Sequence, residues 1–569
     1  MRRLGGMAVC LAMVLAGCVA VPTSGPVERH SPAAEQANPG VEIAPVPPAA
    51  DAPPGLIVEG FLHAMATYQD GYAVARQFLT SAASELWQPE AGVEIYAAGY
   101  PPQVSDSGVV LTAPLIGRLN AQGSFTTVST SAPQYLHDFG LVRDADNQWR
   151  ISQPPRGLLI SQSLFVSTWV RADVCFWDAT GTVLVPDPRF VPKGRIGLLD
   201  TVRAVLMGPS SLTAAAYRVP LVAQLQATAV SLSANGLAEV ELGGATDELG
   251  QEAKRRLAAE LVWSLTSLEG VTAIRIRGNG ALWDVGDSAG LITTADNMTG
   301  APVQPLVSDQ VFVLRDGAIQ RLGWDAPAGD AQPLGAGVVG NASTIAARSD
   351  GQVVAVVTDG GTRLRTVQVR EGTARVELAA QGLALVRWTR QNELLVALER
   401  THDTRLRMVR NATTVPVRTD ALPTGRIRSL AVAPDGVRVA LVIEEQGRSV
   451  LGTTAMVREG DEVWFTGWRE LSGTWWAPST HRPVDVGWSD AAELLVLLTV
   501  AGTPQVVRVD SEGAVATAVG PTDSSATAQL AVGGAGRAVL RGSDGQTWRF
   551  VDDFTWEPWL SKVQHVSMP

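Results

Sequence analysis

Apolar residues near the start of the folded part of the chain change from helical to strand-like spacing. They recur at roughly helical intervals at Leu56, Val58, Phe61, Leu62 and Met65. A second helix is predicted over residues 72–86, and strands over residues 92–96, 109–119, 123–128 and 136–142. The last run meets Ile151 across residues 144–147, which favour a turn. The pattern predicts an α+β domain over residues 55–155.

The next stretch, residues 156–300, predicts a second α+β domain. Strands are expected at residues 166–175, 182–185, 227–232, 237–242 and 271–277. A helix over residues 196–207 should stop at Gly208-Pro209. A longer helix over residues 247–268 places its leucines on one face, at Leu257, Leu261, Leu265 and Leu268.

Residues 305–569 repeat one pattern, an apolar strand, a polar turn and a second apolar strand. The turns fall at residues 349–351, 390–392, 434–436, 489–490 and 533–536. This spacing of about 40 to 55 residues suits one four-stranded propeller blade. A strand at residues 311–314 and the tail to Trp559 are candidates for closing the ring. Trp388 and Trp488 are interpreted as blade packing.

The sequence pattern at the N-terminus differs from the patterns of the three regions that follow it. Arg2 and Arg3 precede an apolar run over residues 4–16, and small residues lead to Cys18. A basic start, an apolar segment and a small-residue exit predict a signal peptide, residues 1–17. An uncleaved membrane anchor is the alternative, but the apolar run is short for a span. Residues 18–54 should form a tether, because residues 19–54 hold nine prolines and no aromatic residue.

Net charge and cysteine content narrow the classes of partner and of site that this protein could have. The formal charge of −11 argues against nucleic acid or an anionic membrane surface as a broad partner. The cysteines are Cys10, Cys18 and Cys175, and removal of the predicted signal peptide leaves only Cys18, at its exit site, and Cys175. This excludes a disulfide framework and a thiolate metal site. Cys175 is interpreted as a small buried apolar residue, with a reactive thiol as the alternative.

Three local motifs could carry chemistry. Gly286-Asp287-Ser288-Ala289-Gly290 fits a nucleophile elbow, but the run after it is too short for the required helix, so a turn is expected. Asp144 and Asp146 could begin a calcium loop, yet later oxygen ligands are missing, which favours a hairpin turn. The basic run at residues 254–256 should be the exposed face of its helix. No two histidines stand at metal-ligand spacing, so no metal or cofactor is expected.

Several stretches resemble known families. The exit site at Cys18 resembles a bacterial lipobox, residues 55–155 resemble an NTF2-like domain, and residues 199–209 and 260–276 resemble a GerM-type domain. With the C-terminal propeller at residues 305–569, this order resembles the LpqB lipoprotein family over essentially the full chain. The fold class implied is two α+β domains (NTF2-like and GerM-like) followed by an all-β propeller.

The resemblance implies a function as well as a fold. Cys18 would become an N-palmitoyl, S-diacylglycerol cysteine that anchors the protein at the extracytoplasmic face of the cell membrane. The partner implied is the extracellular domain of an MtrB-like sensor kinase in the MtrA–MtrB two-component system. The expected protein is therefore a non-enzymatic regulator with no catalytic residue. An envelope-assembly scaffold or carrier remains an alternative, as does a cell-envelope hydrolase.

Overall fold

The computed structural model describes residues 45–569 except 106–107, 130–131, 219–223, 288, 298–299, 335–340, 472–479 and 522–526. The predicted signal peptide, Cys18 and most of the predicted tether lie outside the described residues. Besides the helices and strands below, short 3-10 helices occur at Asp70–Tyr72, Pro89–Ala91, Ala214–Ala216, Thr246–Glu248, Ala295–Asn297 and Ala328–Asp330.

The first unit combines four short helices with small sheets. Its helices are α1 (Pro54–Ala66), α2 (Ala73–Arg76), α3 (Ser81–Leu86) and α4 (Gln162–Thr168). Its strands are Val93–Tyr96, Gln103–Ser105, Gly108–Ala113, Leu115–Leu119, Phe125–Thr127, Tyr135–Asp138, Leu141–Arg143, Trp149–Ile151 and Leu158–Ser161. Of the apolar face predicted for α1, Val58, Phe61, Leu62 and Met65 are buried in the core of this unit. Leu56, which was expected on the same face, is exposed. A proline at its first position starts α1 without loss of a backbone hydrogen bond.

The predicted helix over residues 72–86 is wrong, because tertiary contacts divide it. Leu79 forms a parallel bridge with Ile151, and the Thr80 amide donates to the Ile151 carbonyl. The Thr80 hydroxyl then caps α3 by accepting from the Ala83 amide at 3.2 Å. The long strand predicted over residues 109–119 is likewise two strands, interrupted at Pro114.

The first unit also extends past residue 155. Strand Leu158–Ser161 pairs in parallel with Val93–Tyr96, the centre of the four-stranded sheet. Leu158, Leu159, Ile160 and Phe165 are buried in the same core. The sheet therefore closes on this strand, whereas Trp149–Ile151 forms a hairpin with Leu141–Arg143.

The second unit packs α5 (Arg195–Met207) and α6 (Gln251–Leu265) on its sheets. The strands are Trp169–Trp177, Leu184–Pro192, Leu225–Leu232, Leu237–Gly244, Ala273–Gly278 and Ala281–Leu282. Helix α5 ends at Gly208 with φ of 86°, as its Gly-Pro stop signal predicts. The leucines predicted on one face of α6 are buried. The strand predicted over residues 166–175 is wrong at its start. Residues 162–168 form α4, which the Ser161 side chain caps, and the strand begins only at Trp169.

The third unit is a propeller, and six four-stranded blades lie within the described residues. Blade 1 comprises Gln310–Arg315, Ala318–Gly323, Gln332–Leu334 and Val563–Ser567, and blade 2 comprises Thr344–Ala347, Val353–Thr358, Arg363–Gln368 and Ala374–Ala379. Blade 3 comprises Leu383–Trp388, Leu394–Glu399, Thr404–Arg410 and Thr413–Arg418, and blade 4 comprises Arg426–Val432, Arg438–Glu445, Arg448–Glu459 and Glu462–Glu470. Blade 5 comprises His481–Trp488, Glu493–Val500, Thr503–Asp510 and Ala516–Pro521, and blade 6 comprises Thr527–Val532, Ala538–Gly542, Thr547–Asp552 and Thr555–Pro558.

The ring closes through a strand that the sequence pattern did not predict. Val563–Ser567 is the innermost strand of blade 1 and pairs with Gln310–Arg315. Residues 311–314 take part in closing the ring, as expected. The strand that pairs with them lies after Trp559, beyond the tail that was expected to close it. Blades 3 and 4 are also joined at their outer edges, where Val417 and Val463 face each other in a parallel ladder.

The two α+β units contact the propeller. From the first unit, the Thr127 hydroxyl donates to the Glu470 carbonyl at 2.8 Å. Gly467, with φ of +64°, lies directly against the Leu212 carbonyl of the second unit, where a Cβ atom would come within 1.9 Å of the oxygen. The core of the second unit continues into blade 4 through Val437 and Val457. The blades and the second unit therefore share buried apolar surface.

Candidate binding site

The innermost strands of the six described blades surround a cavity on the propeller axis. Each innermost strand contacts the innermost strands of the two neighbouring blades, so the ring is continuous. The cavity has a volume of about 430 Å3 and lies at the carboxyl ends of these strands. Small-molecule sites typically measure about 300 to 1,000 Å3. The propeller axis therefore offers a cavity of ligand size.

Two tryptophans form part of the cavity wall. The Trp388 indole nitrogen donates to the Ala346 carbonyl of blade 2 at 3.0 Å. The Trp488 indole nitrogen donates to the Ala431 carbonyl of blade 4 at 3.2 Å. Each side chain thus bridges to the preceding blade. The predicted packing role is confirmed, and the same rings also face the cavity.

A short connecting segment lines the mouth of the cavity. This segment, residues 303–306, leads from the second unit into the propeller and is called the strap below. The Gln304 side-chain oxygen accepts from the Ala491 amide at 3.3 Å, which fixes the strap to blade 5. At blade 6, Gly534 packs against the strap so closely that a Cβ atom would lie 2.5 Å from the Leu306 carbonyl oxygen. Leu306 itself is exposed at the rim.

A buried carboxylate ties three blades together on the axis. Asp485 of blade 5 accepts from the Ser429 hydroxyl of blade 4 at 2.5 Å and from the Leu530 amide of blade 6 at 2.8 Å. It also accepts from the Val486 amide at 3.0 Å. Burial raises the pKa of the Asp485 carboxyl, while Arg387 opposes this rise. Three hydrogen bonds already satisfy Asp485, so its role is structural.

Gln529 and His565 make the corresponding link between blades 6 and 1. The Gln529 side chain accepts from the Val566 amide at 3.0 Å and donates to the Val566 carbonyl at 2.8 Å. Its amide nitrogen also contacts the His565 ring. Burial, together with Arg387 and Arg541, lowers the pKa of His565 to about 3. His565 is therefore neutral near pH 7 and adds no positive charge to the axis.

Arg387 lines the same cavity without an ion-pair partner among the described residues. Its one described hydrogen bond runs from a terminal nitrogen to the Val386 carbonyl at 2.9 Å. Burial lowers the pKa of its guanidinium, and the nearby Asp485 acts in the opposite direction. Because the Asp485 oxygens are occupied by other donors, Arg387 retains unused donors in the cavity.

Comparison of the blades shows that Arg387 is exceptional. The blades can be aligned at the last residue of the innermost strand that pairs with the next strand. In blade 3 that residue is Trp388, and Arg387 immediately precedes it. The same position in blades 2, 4, 5 and 6 is occupied by Ala346, Ala431, Gly487 and Ala531. The sequence interpretation missed this residue, although alignment of the repeats at their turns would have placed one arginine among four small residues.

A separate charged cluster joins the second unit to blade 5. Arg171 donates from Nε to the fully buried Glu512 carboxylate at 2.7 Å, and its Nη1 pairs with Asp173 at 2.9 Å. The Ser511 hydroxyl donates a second described hydrogen bond to Glu512, at 3.1 Å. Asp510 lies in the same cluster, where burial and the charge of Glu512 raise the pKa of its carboxyl to about 7. The cluster fixes the second unit to the propeller through buried charge.

The structure also places the motifs singled out in the sequence. Ser288 lies outside the described residues, but the Asp287 carboxylate accepts from the Ala289 and Leu291 amides, as in a turn. Asp144 likewise accepts from the Asp146 and Gln148 amides within a hairpin, which confirms that turn.

The predictions for the basic run at residues 254–256 and for Cys175 have different outcomes. Only Arg255 of the run is plainly exposed, because Lys254 and Arg256 pack over Trp283 and Trp177, respectively. The prediction of a fully exposed face is therefore wrong for two of three residues. Cys175 is buried and unpaired, as predicted. Within the described residues, no cluster of three histidine, cysteine or acidic side chains suits a metal ion.

Three family models match successive parts of the chain. The Lipoprotein LpqB N-terminal domain matches residues 47–166, and the Sporulation and spore germination domain matches residues 173–282. The Lipoprotein LpqB beta-propeller domain matches residues 328–561. The chain belongs to the LpqB lipoprotein family. The predicted order of an N-terminal α+β unit, a GerM-type unit and a propeller is thus confirmed.

Two LpqB relatives match over nearly their whole length. Lipoprotein LpqB of Cutibacterium acnes is 29% identical over 586 residues, covering 98% of this chain and 97% of the relative. Lipoprotein LpqB of Streptomyces coelicolor is 27% identical over 575 residues, covering 93% and 91%, respectively. Among solved structures, TolB from Acinetobacter baumannii matches with a TM-score of 0.35 at 12% identity, over 60% of this chain and 82% of that one. This structural likeness is too weak to add to the assignment.

Membership of the LpqB lipoprotein family implies attachment to a membrane through lipid. The helices of the described residues are all too short or too polar to cross a membrane.

Proposed function

We propose that this protein is a lipid-anchored, extracytoplasmic accessory protein that binds the outer domain of an MtrB-like sensor kinase and modulates its activity. The observation that carries the proposal is the match to a Lipoprotein LpqB relative over 98% of the chain, which includes all three units. The role is non-enzymatic, with recognition of the kinase as its basis. The GerM-type unit and propeller, joined by buried charge and apolar packing, provide a rigid surface for that recognition.

The N-terminal segment supports a partner that lies close to the membrane. Lipid on Cys18 would confine the protein to the membrane surface. A flexible chain of the length of residues 18–54 has a root-mean-square reach of roughly 35 Å, and proline extends it further. Confinement within this reach raises the effective concentration toward a neighbouring membrane protein, so a weak contact suffices.

The test combines recovery of the kinase from membranes with its signalling output. The full-length protein should recover the kinase after mild cross-linking, and deletion of its gene should change phosphorylation of the response regulator. If the full-length protein recovers no kinase and phosphorylation is unchanged, the regulator proposal fails and an envelope scaffold takes its place.

A variant of the anchor provides the matched control. Cys18→Ala leaves residues 45–569 intact but removes the thiol that would receive lipid. We expect an unprocessed precursor without lipid label and with reduced kinase recovery. A normally cleaved, soluble Cys18→Ala product would contradict the anchor assignment.

A further inference from the structure

The axial cavity has the form of a built ligand site. Its walls are backbone and side chains of innermost strands, and hydrogen bonds through Asp485 and Gln529 fix the blades relative to one another. Such a wall needs little rearrangement when a ligand enters, which lowers the entropic cost of binding. The strap lines the mouth and leaves Leu306 exposed at the rim.

The charge on this axis is not balanced by the described residues. Arg387 reaches the cavity, the Asp485 oxygens accept from three other donors, and His565 is neutral. Arg387 is half-buried, and a guanidinium partly withdrawn from water without an ion-pair partner loses hydration that nothing fully replaces. An anion bound in the cavity would remove that cost and use the free donors of Arg387.

The comparison between blades strengthens this point. Four blades place alanine or glycine at the position of Arg387, and these small residues also line the cavity. A small side chain is therefore sufficient for packing at this position, and packing does not require an arginine there. A single arginine in that ring provides one planar donor group directed at one ligand.

We propose that the axial cavity binds a small organic anion, a carboxylate or phosphate carried on an apolar body, with Arg387 as the anion-binding residue. The anionic group would pair with the guanidinium through two parallel hydrogen bonds. The apolar body would pack against the indoles of Trp388 and Trp488 and the aliphatic wall. This site is independent of the kinase proposal, because neither depends on the other's residues.

Calorimetry on the chain from residue 19 onward tests the site with matched probes. Phenyl phosphate and N-acetylphenylalanine supply the two anionic groups, and N-acetylphenylalaninamide is the neutral counterpart. At least one anionic probe should bind to one site, and the amide should bind at least roughly tenfold more weakly, because it lacks the charge-assisted hydrogen bonds. The probe that binds distinguishes a phosphate ligand from a carboxylate ligand.

Three variants define the role of Arg387. Arg387→Ala, which adopts the residue type of the neighbouring blades, should weaken binding of the anionic probe by roughly tenfold to a hundredfold. Its unfolding temperature without probe should be equal to or above that of the parent, because an uncompensated charge is removed. Ser349→Trp narrows the exposed rim without altering Arg387 and should also reduce binding. Arg405→Ala, at an exposed arginine of the same blade outside the cavity, should bind normally.

Several results would overturn the proposal. These are the absence of binding by both anionic probes, equal binding of the neutral amide, or unchanged binding by Arg387→Ala. If Arg387→Ala fails to fold, Ser349→Trp decides the question: full binding by this variant excludes the cavity, and loss of binding supports it.

Discussion

The buried ion pair between Arg171 and Glu512 gives a quantitative prediction about the attachment of the GerM-type unit to the propeller. Arg171→Met keeps most of the side-chain volume and removes the guanidinium. Glu512 is fully buried, so its carboxylate would then keep only the Ser511 hydroxyl as a described donor. We expect the free energy of unfolding to fall.

The size of the effect follows from the burial of the pair. Removal of one partner from a buried pair typically costs about 3–5 kcal/mol, because the other charge stays in a low-dielectric environment. An exposed pair contributes about 0–1 kcal/mol. The pair Arg203–Asp200 on α5 is of the exposed kind, with 49% and 32% of the side chains accessible. Arg203→Met is therefore the matched control.

The assay is urea unfolding at pH 7, followed by far-ultraviolet circular dichroism and tryptophan fluorescence. The double variant Arg171→Met, Glu512→Gln should recover part of the loss, since Glu512 is then neutral and only the partly exposed Asp173 has lost its ion-pair partner. If Arg171→Met costs no more than Arg203→Met, the cluster is effectively solvated and the reasoning about buried charge is refuted.

Three further predictions concern single residues. Asp510 has a folded-state pKa of about 7 against 3.8 for an ordinary carboxyl, so the native state binds the extra proton and stability should fall as pH rises from about 4 to 7. Asp510→Asn should then raise the urea midpoint at pH 8 and not at pH 4, with an upper limit of about 4 kcal/mol from three pKa units; equal effects at both pH values would contradict this assignment. Gly467→Ala should destabilise the protein by more than about 1 kcal/mol in the same assay, because its φ is +64° and the Leu212 carbonyl blocks a Cβ atom, whereas Gly460→Ala has positive φ but open space and should cost less. Burial raises the pKa of the Cys175 thiol, so a thiol reagent should label it only after unfolding; rapid labelling of the folded protein would show that the second unit opens.

Much of the fold was visible in the sequence because local signals agreed with tertiary structure. The spacing of apolar residues in α1, the Gly-Pro stop after α5 and the repeated turns of the propeller each follow from local physics. The helix predicted across residues 72–86 failed for a different reason. Leu79 pairs with Ile151, and no local pattern reports a contact over that distance in sequence.

The axial site was harder to predict than the fold. The repeats were interpreted through what they share, whereas Arg387 matters because it departs from the shared pattern. Asp485 and Gln529 acquire their roles only when three blades meet at the axis. The strand Val563–Ser567 lacks a polar turn and a following strand, so it did not match the repeat that identified the other blades.

Closure of the propeller by this strand has a consequence for how the protein matures. A polypeptide is synthesised from its amino terminus, so Gln310–Arg315 is made long before Val563–Ser567, its partner in blade 1. Until that partner arrives, blade 1 exposes an unpaired strand edge, which is prone to wrong pairing. Pairing across so long a separation also carries a large loop-closure cost and slows folding. The ring is therefore completed only after synthesis of the whole domain, and a premature stop codon before residue 563 would leave five complete blades and a three-stranded blade 1 with an open edge.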